Sequence, residues 1–109
     1  MTTPAITNLE KLLNGPRDGA LLRYSLGNEY LKLGEAGKAA AYFQQTIDKD
    51  PGFSAAWKLL GKALAAADRP AEALAAYERG IEVATNKGDV QAAREMTVFA
   101  KRLRRQLEE

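Results

Sequence analysis

Residues 54–87, SAAWKLLGKALAAADRPAEALAAYERGIEVATNK, reveal the architecture when laid over the 34 residues before them, ALLRYSLGNEYLKLGEAGKAAAYFQQTIDKDPGF, residues 20–53. Five positions are identical: Leu26/Leu60, Gly27/Gly61, Ala39/Ala73, Ala41/Ala75 and Ile47/Ile81. Two more pairs, Tyr30/Leu64 and Phe43/Tyr77, keep apolar bulk. Each segment reads as two helices. Leu22, Leu26, Tyr30 and Leu33 recur at helical spacing until Gly34, and Ala36, Ala39, Ala40, Phe43 and Ile47 form a second stripe until Asp50-Pro51-Gly52. In the later segment Ala56, Trp57, Leu60, Gly61 and Leu64 come before Asp68-Arg69-Pro70, and Ala73, Leu74, Tyr77 and Ile81 come after it. Gly27 and Gly61 fall in mid-helix, where glycine costs about 1 kcal/mol relative to alanine, so both are expected where helices approach closely.

On the amino-terminal side of the repeat, Thr7-Asn8-Leu9-Glu10 has the form of a capping box, which predicts a short first helix over 7–15. Asp18 is placed to cap the next helix. Beyond Asn86-Lys87-Gly88, Asp89 is placed to cap a last helix over 89–108. The apolar stripe of that helix is Val90, Ala93, Met96, Ala100, Leu103 and Leu107, with Phe99 beside it and Val98 out of phase. No stretch alternates as a strand would, and 20 alanines favour helix throughout. The expected fold is all-α: six helices joined by short turns, so that neighbours run antiparallel.

At 109 residues the chain is one domain, and 46% hydrophobic with 28% charged residues is a globular balance. Cysteine and histidine are both absent from the sequence, which excludes disulfides, thiolate or imidazole metal ligands, a cysteine nucleophile and a Ser-His pair. No cofactor or metal site is expected, and no enzyme. Asp48 with Asp50, and Glu78 with Glu82, read as helix surface, and no phosphate-binding glycine loop occurs. Net charge is +2, with the basic excess concentrated in Lys101, Arg102, Arg104 and Arg105. That run lacks interleaved aromatics, so nucleic acid is not the expected partner. No segment approaches the ~18 apolar residues of a membrane span, and the start lacks the pattern of a secretory signal. A cytoplasmic location is the expectation.

The repeated residues resemble those of the tetratricopeptide repeat family, whose 34-residue pattern runs W-x2-L-G-x2-Y, then A-x3-F, then P. Residues 20–53 carry Leu26, Gly27, Tyr30, Ala39, Phe43 and Pro51, with Arg23 in place of the tryptophan. Residues 54–87 carry Trp57, Leu60, Gly61, Ala73 and Tyr77, with Leu64 in place of the tyrosine and Thr85 in place of the proline. A further 34-residue step puts Arg94 and Glu95 where Leu and Gly belong, so 89–108 is expected to be a solvating end helix and 7–15 a cap at the other end. The resemblance implies a right-handed superhelix of helix pairs whose concave face is built from the first helix of each pair.

It also implies that a ligand lies on that concave face. The corresponding positions are Leu21, Tyr24, Asn28, Leu31 and Lys32, then Ala55, Lys58, Lys62 and Ala65, then Ala92, Met96 and Phe99 of the last helix. Tyr24, Asn28, Lys32, Lys58, Lys62 and Met96 are the candidate contacts. Their chemistry suits a peptide or protein segment that is acidic or ends in a carboxylate. The competing reading is that the lysines are a solvated face. Only Asn28 coincides with the carboxylate-clamp residues of some family members, so that activity is not carried over. The expected role is a non-catalytic scaffold or adaptor. The alternative is a self-associating subunit or an accessory module of a larger enzyme complex, with the Val98/Phe99 side as an interface.

Overall fold

The computed structural model describes residues 2–109. Six α-helices succeed one another: α1 (Pro4–Glu10), α2 (Ala20–Lys32), α3 (Ala36–Lys49), α4 (Ser54–Ala66), α5 (Pro70–Lys87) and α6 (Val90–Glu108). No strand occurs among the described residues, and no helix is long and apolar enough to cross a membrane. Each helix packs chiefly on its sequence neighbours, and α4 also touches α6. The result is an elongated stack with extents of 42 × 30 × 18 Å.

The paired helices close on the two glycines. A Cβ built on Gly27 would lie 2.6 Å from Phe43 Cε1, and one on Gly61 would collide with the ring of Tyr77. The bare backbone of α2 and α4 is therefore the surface on which the aromatics of α3 and α5 lie. Phe43 is fully buried and Tyr77 nearly so, and loss of solvent pushes the Tyr77 hydroxyl up to about 12. Ala36, Ala39, Ala40 and Ile47 fill the rest of the α3 face, as the periodicity predicts. Gly34 ends the α2 segment in the left-handed region at φ 77°, and Asp68 takes the same conformation one repeat later at φ 60°. Leu33, predicted on the inward stripe, is at the end of α2 and more than a third exposed.

Both predicted caps at the amino-terminal end are corrected. α1 starts at Pro4, and its cap is Thr3, whose Oγ1 accepts from Ile6 N at 3.2 Å. Thr7 is inside the helix. Proline at the first helical position favours the earlier start, because its missing N–H would have no partner there anyway. Asp18 does not cap α2, which begins behind Gly19 without a side-chain cap. Its carboxylate instead accepts from Arg23 Nε at 2.9 Å and Nη2 at 2.5 Å, and from Asn14 N at 2.7 Å. Two hydrogen bonds from a guanidinium, with charges on both partners, outcompete a single cap bond to a backbone N–H. Arg23 Nη1 donates onward to Gln45 Oε1 of α3 at 2.6 Å. The arginine that stands where the repeat pattern has tryptophan thus ties α2 to α3 by polar bonds.

At the other end Asp89 caps α6 as predicted, Oδ1 accepting from Ala92 N at 3.2 Å. α5 is longer than its counterpart, 18 residues against 14 in α3, and ends at Gly88 with φ 76°. Lys87, in its last turn, donates to Gly52 O at 2.6 Å. The longer helix changes the register of α6. Ala92, Met96 and Ala100 are buried, each 36 positions after the buried Ala56, Leu60 and Leu64. α6 therefore packs as a first helix, two residues out of step with a strict 34-residue repeat.

Candidate functional site

α2, α4 and α6 share one face. Tyr24 of α2 packs tilted against Phe53, at the head of α4, with ring centroids 4.6 Å apart, and also meets Phe43 at 5.8 Å. Lys58 of α4 reaches α6, where its Nζ donates to Glu95 Oε1 at 3.4 Å. On the opposite side, α3 and α5 flank a cleft of about 510 Å³ floored by Trp57, Leu60 and Leu64 of α4. Trp57 Nε1 donates to Pro51 O at 2.8 Å, so its indole is held by the turn between the two pairs.

The six candidate residues divide. Tyr24 is half-buried and fixed by its aromatic neighbours. Asn28 lies one turn further along α2, its amide donating to Tyr24 O at 3.3 Å. Lys32 is exposed at the helix end, in an i,i+3 ion pair with Glu29 at 3.0 Å. Lys58 is half-buried in its bridge to Glu95, while Lys62 is exposed and makes no ion pair among the described residues. Met96 is not on the face at all. It is fully buried, with its sulfur against Gly80 and under the chain of α5. Ala92 is buried likewise, and Phe99 packs on Tyr77 with centroids 5.5 Å apart. The two-residue shift rotates α6 by more than half a turn from the strict 34-residue expectation, and that rotation carries Met96 into the core.

Two contributors escape the sequence reading. The 34-residue step places Glu95 at a glycine position, yet it supplies the carboxylate that meets Lys58. Phe53 comes after the Asp50-Pro51-Gly52 turn at the expected start of the fourth helix, with no role assigned to its ring, yet it carries the ring on which Tyr24 rests. The signal for Glu95 is the alanine-methionine-alanine spacing of α6, which fits α4 at 36 residues and not at 34. Phe53 has no comparable signal, because its partner comes from a different helix pair.

At the amino-terminal end Tyr30 donates to Glu10 Oε2 at 3.2 Å, stacks with Tyr42 at 5.6 Å and carries Lys38 over its ring at 5.4 Å. Burial, then the Glu10 carboxylate, raises its hydroxyl above the ordinary tyrosine range. These contacts fasten α1 to the first pair. Glu78 pairs with Arg104 at 3.0 Å and Glu82 with Arg79 at 3.0 Å, so the two carboxylates serve separate surface pairs.

Antiparallel helix pairs with a shared first-helix face define a helical-repeat protein of the interaction-module class. The chain belongs to the tetratricopeptide repeat family, whose model matches residues 24–89. It is 49% identical over 100 residues to TPR repeat-containing protein PA0015 of Pseudomonas aeruginosa, covering 92% of this chain and 95% of that protein. The solution structure of protein BPP2914 from Bordetella parapertussis is similar at a TM-score of 0.81 and 36% identity, over 97% of this chain and 91% of that one. A tetratricopeptide repeat domain protein from Salinibacter ruber is similar at 0.72 and 31%, over 83% and 90%. Proteins of this family are in general interaction scaffolds without catalytic activity.

Proposed function

We propose that the protein is a non-catalytic adaptor that holds an acidic peptide or protein segment on the face shared by α2, α4 and α6. In this reading residues 20–53 and 54–87 are the two repeat units, α1 caps one end, and α6 closes the other. Tyr24 supplies a rigid aromatic anchor, Asn28 an amide, and Lys58 with Lys62 the charge. The observation that carries the proposal is the Lys58–Glu95 bridge. Lys58 already takes a carboxylate at 3.4 Å, and Lys62, one turn on and exposed, has none among the described residues. An incoming carboxylate therefore meets one free ammonium and one that it can share with Glu95.

The test is titration of a fluorescein-labelled Glu-rich peptide against the wild type and Lys58→Glu/Lys62→Glu, with circular dichroism confirming the fold of both. Affinity is expected to fall by about tenfold or more in the double variant, a loss of roughly 1.4 kcal/mol or greater. Unchanged affinity would refute the proposal and leave the lysines as solvated surface.

A further inference from the structure

Among the described residues α2 and α4 are each covered by the helix after them, and α6 is not. α3 covers α2 through Phe43 on Gly27, and α5 covers α4 through Tyr77 on Gly61. Carried forward by the 36-residue offset that the buried residues obey, the glycine position falls on Thr97. Thr97 is half-buried, its hydroxyl donating to Ala93 O at 2.7 Å, so it offers its methyl and spends its polar atom on its own helix. The slot beside it, about 580 Å³, runs between α5 and α6 and is lined by Ile81, Thr85, Val90, Ala93, Thr97 and Val98. Val90 is 57% exposed and Val98 53%. Among the described residues no helix covers them.

We infer that this slot is a second docking site, separate from the α2–α4–α6 face, and that its occupant is an acidic amphipathic helix of another protein. Two observations select that occupant. The slot has the position and apolar lining that α2 and α4 present to their covering helices, so a helix is the shape that fits. Its outer edge is the exposed face of α6, where Arg94, Lys101 and Arg105 form a row, and none of them makes an ion pair among the described residues. Between Val90 and Leu107 the sole carboxylate is Glu95, which is turned toward Lys58. A second copy of this chain packed antiparallel on α6 would set that basic row against itself, a like-charge opposition that disfavours self-association there. Nucleic acid or an anionic membrane would satisfy the basic row, but neither makes use of an apolar slot bounded on one side by α5.

The experiment uses a synthetic amphipathic helix of about 14 residues, long enough to hold helical structure, with leucines at i, i+3, i+4 and i+7 and glutamates flanking them. A matched peptide carries lysine in place of every glutamate. Fluorescence anisotropy with the full chain is expected to show binding of the Glu peptide alone, weakening as salt rises. Val90→Asp and Val98→Asp alter exposed positions, so the fold is retained, and each is expected to weaken binding about tenfold by placing a carboxylate in the apolar contact and against the glutamates. Arg94→Glu/Lys101→Glu is expected to do the same. In the Lys58→Glu/Lys62→Glu background, which disables the α2–α4–α6 face for acidic peptides, the Glu peptide is expected still to bind and to remain sensitive to Val98→Asp, which keeps the two sites distinguishable. Equal binding of both peptides, no binding of the Glu peptide, or indifference to Val90→Asp and Val98→Asp would overturn the inference. So would a wild-type dimer in sedimentation equilibrium that Val98→Asp dissociates, or tighter binding to phosphatidylserine vesicles or duplex DNA than to the Glu peptide.

Discussion

Adding one methyl group has opposite expected effects at two glycines. Gly61→Ala drives a Cβ into the ring of the buried Tyr77, which must shift to make room, and is expected to destabilise by about 1–3 kcal/mol despite the better helix propensity. Gly37→Ala, on the exposed side of α3 with nothing within 4 Å, is expected to stabilise by a few tenths to about 1 kcal/mol. Urea denaturation of the two variants against wild type checks both signs. Asp18 gives a pH signature. The hydrogen bonds from Arg23, then the Asn14 N–H, hold its carboxyl at about 2, below the ordinary 3.8. Protons therefore bind the unfolded state first. The stability this group contributes is complete above about pH 4 and lost as pH falls through about 2. Acid unfolding monitored by circular dichroism is expected to depend less steeply on pH across that window in Asp18→Asn than in wild type. An equally steep limb would show that other carboxylates set it. Among single residues, the repeat glycines were legible in the sequence because a helix rarely carries glycine without a packing reason. The Arg23–Asp18–Gln45 bridge was not, since it joins three separate segments and answers to no local pattern.

For each helix, caps and lengths decide where side chains point. Asp89→Ala removes the acceptor for Ala92 N at the start of α6 and is expected to cost about 1 kcal/mol, a fall of roughly 4–8 °C in thermal melting for a domain near this size. A melting temperature within about 1 °C of wild type would mean the cap is replaced by solvent. The capping-box pattern at Thr7 is misleading because the same local chemistry is available to Thr3, and Pro4 favours that choice. The extra turn of α5 has the larger consequence. With the connection to α6 two residues shorter, the net gain of two residues turns α6 so that Glu95 meets Lys58 and Met96 enters the core, and a strict 34-residue comparison has no means of registering it.

Across the assembled stack, stability is a matter of neighbours. No helix pair buries its own apolar face completely, so removal of an end helix exposes the pair behind it. Met96, Ala100 and Leu103 of α6 are buried, and α6 lies mainly on α5. A chain ending at Glu95 is therefore expected to lose its cooperative thermal transition, because a domain of this size has little stability in surplus. An unchanged melting curve for that truncation would show that the two central pairs stand alone. The helix pairing and the family can be read from the chain alone, because the 34-residue recurrence of Leu, Gly and aromatic positions is local information repeated twice. The face that each residue of α6 presents is a matter of packing in three dimensions. The pattern within α6 already puts Met96, Ala100 and Leu103 on its apolar stripe, where they are buried, but a two-residue change in register rotates a helix by more than half a turn, and contact with α5 decides that Ala92 joins them while Val90 and Leu107 stay exposed.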